Sequence, residues 1–137
     1  MTPEQNTPMD LSEPRLEINR ITEKIINCVY RVSNTLGSGF LEKVYENALA
    51  IELRKNGLRV EQQHPIIVFY DNNLVGDFVA DLLVEDSVLV EMKAAKTLDE
   101  VHSAQCMNYL KATGLKVCLL VNFGRPRADV KRIVLDY

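Results

Sequence analysis

A chain of 137 residues, 47% hydrophobic and 26% charged, carries enough apolar material for one globular core. Its formal net charge of −3 argues against holding nucleic acid by overall electrostatic attraction, so any such binding must be local. Cys28, Cys106 and Cys118 lack the spacing of a zinc site or a disulfide framework and read as reduced thiols, and no run approaches the roughly 18 to 20 apolar residues of a membrane span.

Residues 1–12 mix Pro and polar residues with little to bury, which predicts a flexible tail ahead of a single domain over 13–137. The start shows no basic segment followed by an apolar one, so a cytoplasmic location is expected. Ser12-Glu13-Pro14 looks like a cap and first turn. Ile18, Ile21, Ile25, Val29, Val32 and Leu36 then recur at steps of three or four, predicting an amphipathic helix that stops at Gly37. A second helix is predicted over 40–56, with Leu41, Val44, Ala48 and Ile51 as its apolar side and Gly57 as its stop.

From residue 60 the pattern turns to β. Predicted strands cover 60–70, 74–84 and 88–93, joined by Asp71-Asn72-Asn73 and by Glu85-Asp86-Ser87, in an antiparallel meander. A third helix follows over 98–113, closed by Gly114, then strands over 116–123 and 130–135. The uninterrupted apolar run Val117-Cys118-Leu119-Leu120-Val121 predicts a strand buried on both faces in the sheet centre. The order ααβββαββ describes an α/β (α+β) fold with a mixed sheet flanked by helices. Residues 111–132 hold six basic residues against Asp129 alone, which suits a local basic region and a solvated charged surface equally well.

Two carboxylates interrupt apolar strand sequence. Asp81 sits within Phe78-Val79-Ala80-Asp81-Leu82-Leu83-Val84, and Glu91 follows Val88-Leu89-Val90. Moving a lone carboxylate into apolar surroundings costs several kcal/mol (order of magnitude) unless it is paired, protonated or bound to a metal. Strand alternation puts Glu91 and Lys93 on one face. With a three-residue link at 85–87, Val84 pairs with Val88 and Asp81 falls opposite Glu91; a two-residue link would separate them. Like charges opposed on a ladder make sense if a divalent cation sits between them, and hard oxygen ligands without His or thiolate favour Mg²⁺ or Mn²⁺ over zinc. Taken singly, Glu-x-Lys at a strand end is more often an exposed cross-strand ion pair, and one Asp in a strand more often a hydrogen-bonded group.

Asp81 with Glu91-Met92-Lys93 resembles the Asp…Glu-x-Lys signature of the PD-(D/E)XK nuclease superfamily. Gly39-Phe40-Leu41-Glu42-Lys43-Val44-Tyr45 resembles the motif that names its GxxExxY family, and Gln105-Cys106-Met107-Asn108-Tyr109 resembles a Gln-x-x-x-Tyr element of some members. Ala80 stands where the signature has Pro, which leaves the ligand positions intact. The resemblance implies a restriction-endonuclease-like core. It also implies a divalent metal held by Asp81 and Glu91 with Glu42 as a further or water-mediated ligand, Lys93 as the electrostatic catalytic group, and substrate contacts from Tyr45, Gln105 and Tyr109. Gln105 and Tyr109, four apart, share a helix face. Helix-capping electrostatics is the alternative role for Glu42, and a core position the alternative for Tyr45.

The function this implies is metal-dependent hydrolysis of phosphodiester bonds, with DNA as the partner suggested by the resemblance. The competing expectation is a catalytically inactive nuclease fold that binds nucleic acid or a protein partner, as a subunit of a larger assembly. Homodimerisation through Ile18, Ile21, Ile25 and Val29 of the first helix is a third expectation, compatible with either. His64 and His102 have no acidic or thiol partner at ligand spacing and are assigned to neither metal nor catalysis.

Overall fold

The computed structural model describes residues 13–137, so the expected tail over 1–12 lies outside the described residues. The elements are α1 (Glu13–Leu36), α2 (Glu42–Lys55), β1 (Val60–Tyr70), β2 (Asn73–Val84), β3 (Val88–Lys93), α3 (Glu100–Thr113), β4 (Val117–Asn122) and β5 (Asp129–Val134). One five-stranded sheet runs β1-β2-β3-β4-β5; all neighbours are antiparallel except β3 and β4, which are parallel. The parallel pair follows from the α3 crossover, since a parallel connection needs a helix-length excursion. The fold is the α/β one expected, a mixed sheet between helical layers.

Two core layers sandwich the sheet. Ile21, Ile25, Val29 and Val32 of α1 and Leu49 and Leu53 of α2 cover Leu82, Val84, Val88, Val90, Met92, Leu119 and Val121. On the opposite side Cys106, Tyr109 and Leu110 of α3 cover Ala80, Leu83, Leu89, Cys118 and Leu120. β4 is buried along its whole length, as its unbroken apolar run requires. The three cysteines are free and buried. No described helix is long and apolar enough to cross a membrane.

Two expectations change here. The apolar stripe of α1 lies in the core, with Ile21, Ile25 and Val29 buried and Ile18 partly buried against them, so the dimer contact expected of these four has little of their surface to use. In α2 the buried side is Tyr45, Leu49, Ala50 and Leu53, while Leu41, Val44 and Ile51 are exposed. The helix carries two apolar stripes about one residue apart in phase. The one with the larger payload wins because Tyr45 stacks on Phe123, ring centres 4.5 Å apart and planes 5° from parallel.

The strand links set the register. Asp71 and Asn72 both adopt positive φ, the geometry of a two-residue hairpin turn that closes Tyr70 against Asn73. Glu85-Asp86-Ser87 forms the three-residue link, with Val84 opposite Val88. That ladder continues through Leu83↔Leu89 and Leu82↔Val90, and there its regular pairing stops.

Candidate active site

The interruption of the ladder is the site. Past Leu82↔Val90 the two strands exchange side-chain bonds instead of backbone ones: Asp81 N–H donates to Glu91 Oε2 at 2.7 Å, and Met92 N–H donates to Asp81 Oδ2 at 2.8 Å. Face alternation along β2 also breaks at this point, because Leu82 packs in the α1/α2 layer while Leu83 and Ala80 both pack in the α3 layer. On the other flank Gln63 of β1, between residues paired with Leu82 and Ala80, takes a φ of 57°. A local twist of both neighbours thus turns Asp81 toward Glu91.

Two carboxyl groups so placed resist ionisation. Glu91 is almost wholly buried, and burial followed by the charge of Asp81 pushes its pKa from 4.5 up to about 8, against the opposing pull of the Asp81 N–H and Lys93. Asp81 is half-buried and shifts the same way; burial leads, with Glu46 and Glu42 adding and the Met92 N–H and Lys93 opposing. Each carboxyl uses one oxygen on a backbone N–H and leaves the other without a hydrogen bond among the described residues. Lys93, on the same strand two residues beyond Glu91, has no ion-pair partner within 4 Å among the described residues, so its ammonium remains available.

Glu42 opens α2. Its N-cap, Leu41, makes no side-chain cap bond, and Glu42 reaches across to accept from Ala94 N–H at 3.2 Å, just past the end of β3. A cavity of about 570 Å³ opens here between residues 38–42 and residues 94–96. Among the described residues no three His, Cys, Asp or Glu side chains converge into a ready cation cage. The arrangement is a carboxylate pair with Glu42 set apart from it, bonded to Ala94 N–H. A pair of hard oxygens without imidazole or thiolate suits Mg²⁺, which is commonly held by one or two carboxylates with water and substrate phosphate completing the shell.

The remaining expected residues divide. Tyr45 is fully buried: its hydroxyl donates to the Gly37 carbonyl at 2.6 Å and accepts from Phe40 N–H at 3.2 Å. It fixes the loop before Glu42 and has no exposed surface for a substrate, so the contact expected of it gives way to support. Gln105 and Tyr109 share the face of α3 turned toward the β1–β2 hairpin and line a second cavity of about 800 Å³ with Phe78. Burial, with the charges of Glu91 and Asp81 adding to it, raises the Tyr109 pKa. His102 belongs to the α3 capping box with Asp99, and His64 lies on edge strand β1.

Three supporting residues escaped the sequence reading. Glu46, one turn after Glu42, is buried and accepts from Gln62 Nε2, Gln63 Nε2 and Lys43 Nζ, tying α2 to the twisted part of β1. Asn122, fully buried at the end of β4, accepts from Ala95 N–H and Gly124 N–H and donates to the Ala95 carbonyl, which clamps the segment after Lys93. Gly124 lies so close that an added Cβ would fall 2.2 Å from Ala95 O. Glu46 follows Glu42 by four residues and Asn122 ends an otherwise apolar strand; those were the available signals.

Residues 19–133 match the sequence profile of the PD-(D/E)XK nuclease superfamily, across nearly all the described chain. The chain belongs to that superfamily. No curated protein sequence gives a significant match. Among solved structures, this nuclease-superfamily chain is similar to the crystal structure of SSO0001, with a TM-score of 0.52 and 19% identity over 90% of this chain and 63% of that one. It is also similar to an alkaline exonuclease, LHK-Exo, from Laribacter hongkongensis, with a TM-score of 0.51 and 19% identity over 93% of this chain and 73% of the other. The chain thus spans less than two thirds of the first of these, and at this identity both likenesses concern the fold.

Proposed function

We propose that this chain is a metal-dependent nuclease of the GxxExxY type, hydrolysing phosphodiester bonds, with DNA as its substrate. The observation that carries the reading is the Asp81/Glu91 pair: two buried or half-buried carboxyls face one another where regular strand pairing has been given up, and Lys93, two residues beyond Glu91, has no ion-pair partner among the described residues. Superfamily membership and the fold likeness to an exonuclease support it.

Asp81 and Glu91 would hold Mg²⁺ or Mn²⁺, with Glu42 as an outer or water-mediated ligand. When bound, such an ion supplies charge neutralisation at the phosphate and a more acidic water. Lys93 then offsets the negative charge that builds on the phosphoryl oxygens and helps to orient the attacking water. Tyr45, Glu46 and Asn122 keep the α2 start and the residue 94–96 segment in place around the pair. Gln105 and Tyr109 orient the substrate from the α3 side.

The test is cleavage of single- and double-stranded DNA and RNA with Mg²⁺ or Mn²⁺, comparing wild type with Asp81→Ala and Lys93→Ala. Removing one preorganised charge-stabilising group is expected to slow cleavage by roughly 10²- to 10³-fold. Equal cleavage by all three proteins, or none by any of them, rejects the assignment.

A further inference from the structure

The larger cavity contains chemistry that the carboxylate pair leaves unused. It lies between the outer half of the β1–β2 hairpin and α3, with Phe69 and Phe78 on one wall and Gln105, Asn108 and Lys111 on the other. Phe69 and Phe78 are 62% and 47% exposed, and the Phe78 ring lies 6.0 Å from that of Tyr109. The side chains of Gln105 and Asn108 make no hydrogen bond with the described residues. Of the eleven lining residues one is charged, and Lys111 is positive.

Exposed aromatic faces, uncommitted amides and a single cation form the combination that recognises a nucleobase and its phosphate. We propose that this groove is a base-binding subsite, taking unpaired bases of a single strand that runs on from the scissile phosphate. It rests on the nuclease reading of the Asp81/Glu91 pair. Phe78 precedes Asp81 by three residues on β2, roughly 10 Å at the strand rise, so the stacked base belongs to a nucleotide next to the reacting one. Within a duplex the base faces are already stacked on each other and unavailable, and duplex affinity depends on many phosphate contacts that a chain of net charge −3 is poorly built to make. An apolar protein surface laid here, a second copy included, would bury the Gln105 and Asn108 amides without partners.

Fluorescence anisotropy with a labelled single-stranded oligonucleotide and its duplex, in EDTA so that nothing is cleaved, tests this. The wild type is expected to bind the single strand more tightly. Phe78→Ala and Phe69→Ala are each expected to weaken that binding about tenfold and to leave duplex binding unchanged. Both side chains are exposed, so the variants keep the fold, which circular dichroism checks. Unchanged single-strand affinity in both variants, or a preference for duplex, overturns the proposal. So does a dimer, detected by light scattering, that Phe69→Ala dissociates, because that assigns the face to a second copy. Cleavage with Mn²⁺, run in parallel, separates the two readings. Base binding without cleavage defeats the nuclease reading alone, whereas cleavage with no effect of either Phe variant on binding defeats the base site alone.

Discussion

Glu91→Gln is the sharpest perturbation, because it removes the ionisation of a carboxyl whose pKa rises from 4.5 to about 8 on folding. A raised folded pKa means that, between those two pH values, the folded protein retains a proton the unfolded chain has released. The associated stability is therefore fully present below about pH 4.5 and is lost as pH climbs toward 8. At about 1.4 kcal/mol for each tenfold change in proton binding, the displacement is worth on the order of 5 kcal/mol, a large share of a domain's usual 5 to 15. Gln has nearly the same volume, and its amide oxygen can still accept from Asp81 N–H. In urea denaturation followed by circular dichroism at several pH values in EDTA, the wild type should lose several kcal/mol between about pH 5 and 8, and the variant much less. The variant retains some slope because Asp81 shifts in the same direction, chiefly through its own burial. Added Mg²⁺ should restore wild-type stability at pH 8 and do little for the variant. Parallel pH profiles for the two proteins, or a variant less stable than wild type at pH 8, would refute the reasoning.

Other outcomes follow from the supporting residues. Tyr45→Phe removes a hydroxyl that both donates to Gly37 and accepts from Phe40, and should cost about 1 to 3 kcal/mol in thermal or urea unfolding while leaving the stack on Phe123 intact. An unchanged midpoint would show that the loop before Glu42 does not depend on that hydroxyl. Asn122→Ala strands Ala95 N–H and C=O and Gly124 N–H, and should cost about 1 to 3 kcal/mol for each group that water cannot reach; amide exchange at Ala95 should accelerate in the variant, and unchanged protection there would count against the clamp. Gly124→Ala puts a methyl against the Ala95 backbone and should displace residues 94–96, read as lost protection at Ala94, whose N–H is held by Glu42.

What could be read from the residues was whatever one pattern settled. The α1 stripe, the presence of a turn within Asp71-Asn72-Asn73 and the buried run of β4 each have a single low-energy interpretation, although the turn closes one residue sooner than expected, at Asn73. The link at 85–87 left two registers open, and its three-residue form sets Val84 against Val88, the register that carries Asp81 toward Glu91. The face of α2 was not legible, because its two apolar stripes differ only in what they meet, and the partner of Tyr45, Phe123, lies 78 residues away. The manner in which Asp81 and Glu91 meet also lay beyond sequence. A regular ladder would have put their side chains on one face, whereas the twist at Gln63 and Asp81 converts the pair into mutual caps of backbone N–H groups. Glu46 and Asn122 were missed because their role consists of hydrogen bonds to distant backbone and side chains, which no local spacing encodes.

Calorimetric titration of Mn²⁺ at pH 7, repeated in two buffers of different ionisation enthalpy, bears most directly on the Asp81/Glu91 pair. Saturable binding is expected, with a proton released to the buffer because Glu91 enters the reaction protonated, and with affinity lost in Asp81→Asn. No saturable heat in the wild type, or undiminished affinity in Asp81→Asn, would contradict the assignment of these carboxyls to a cation.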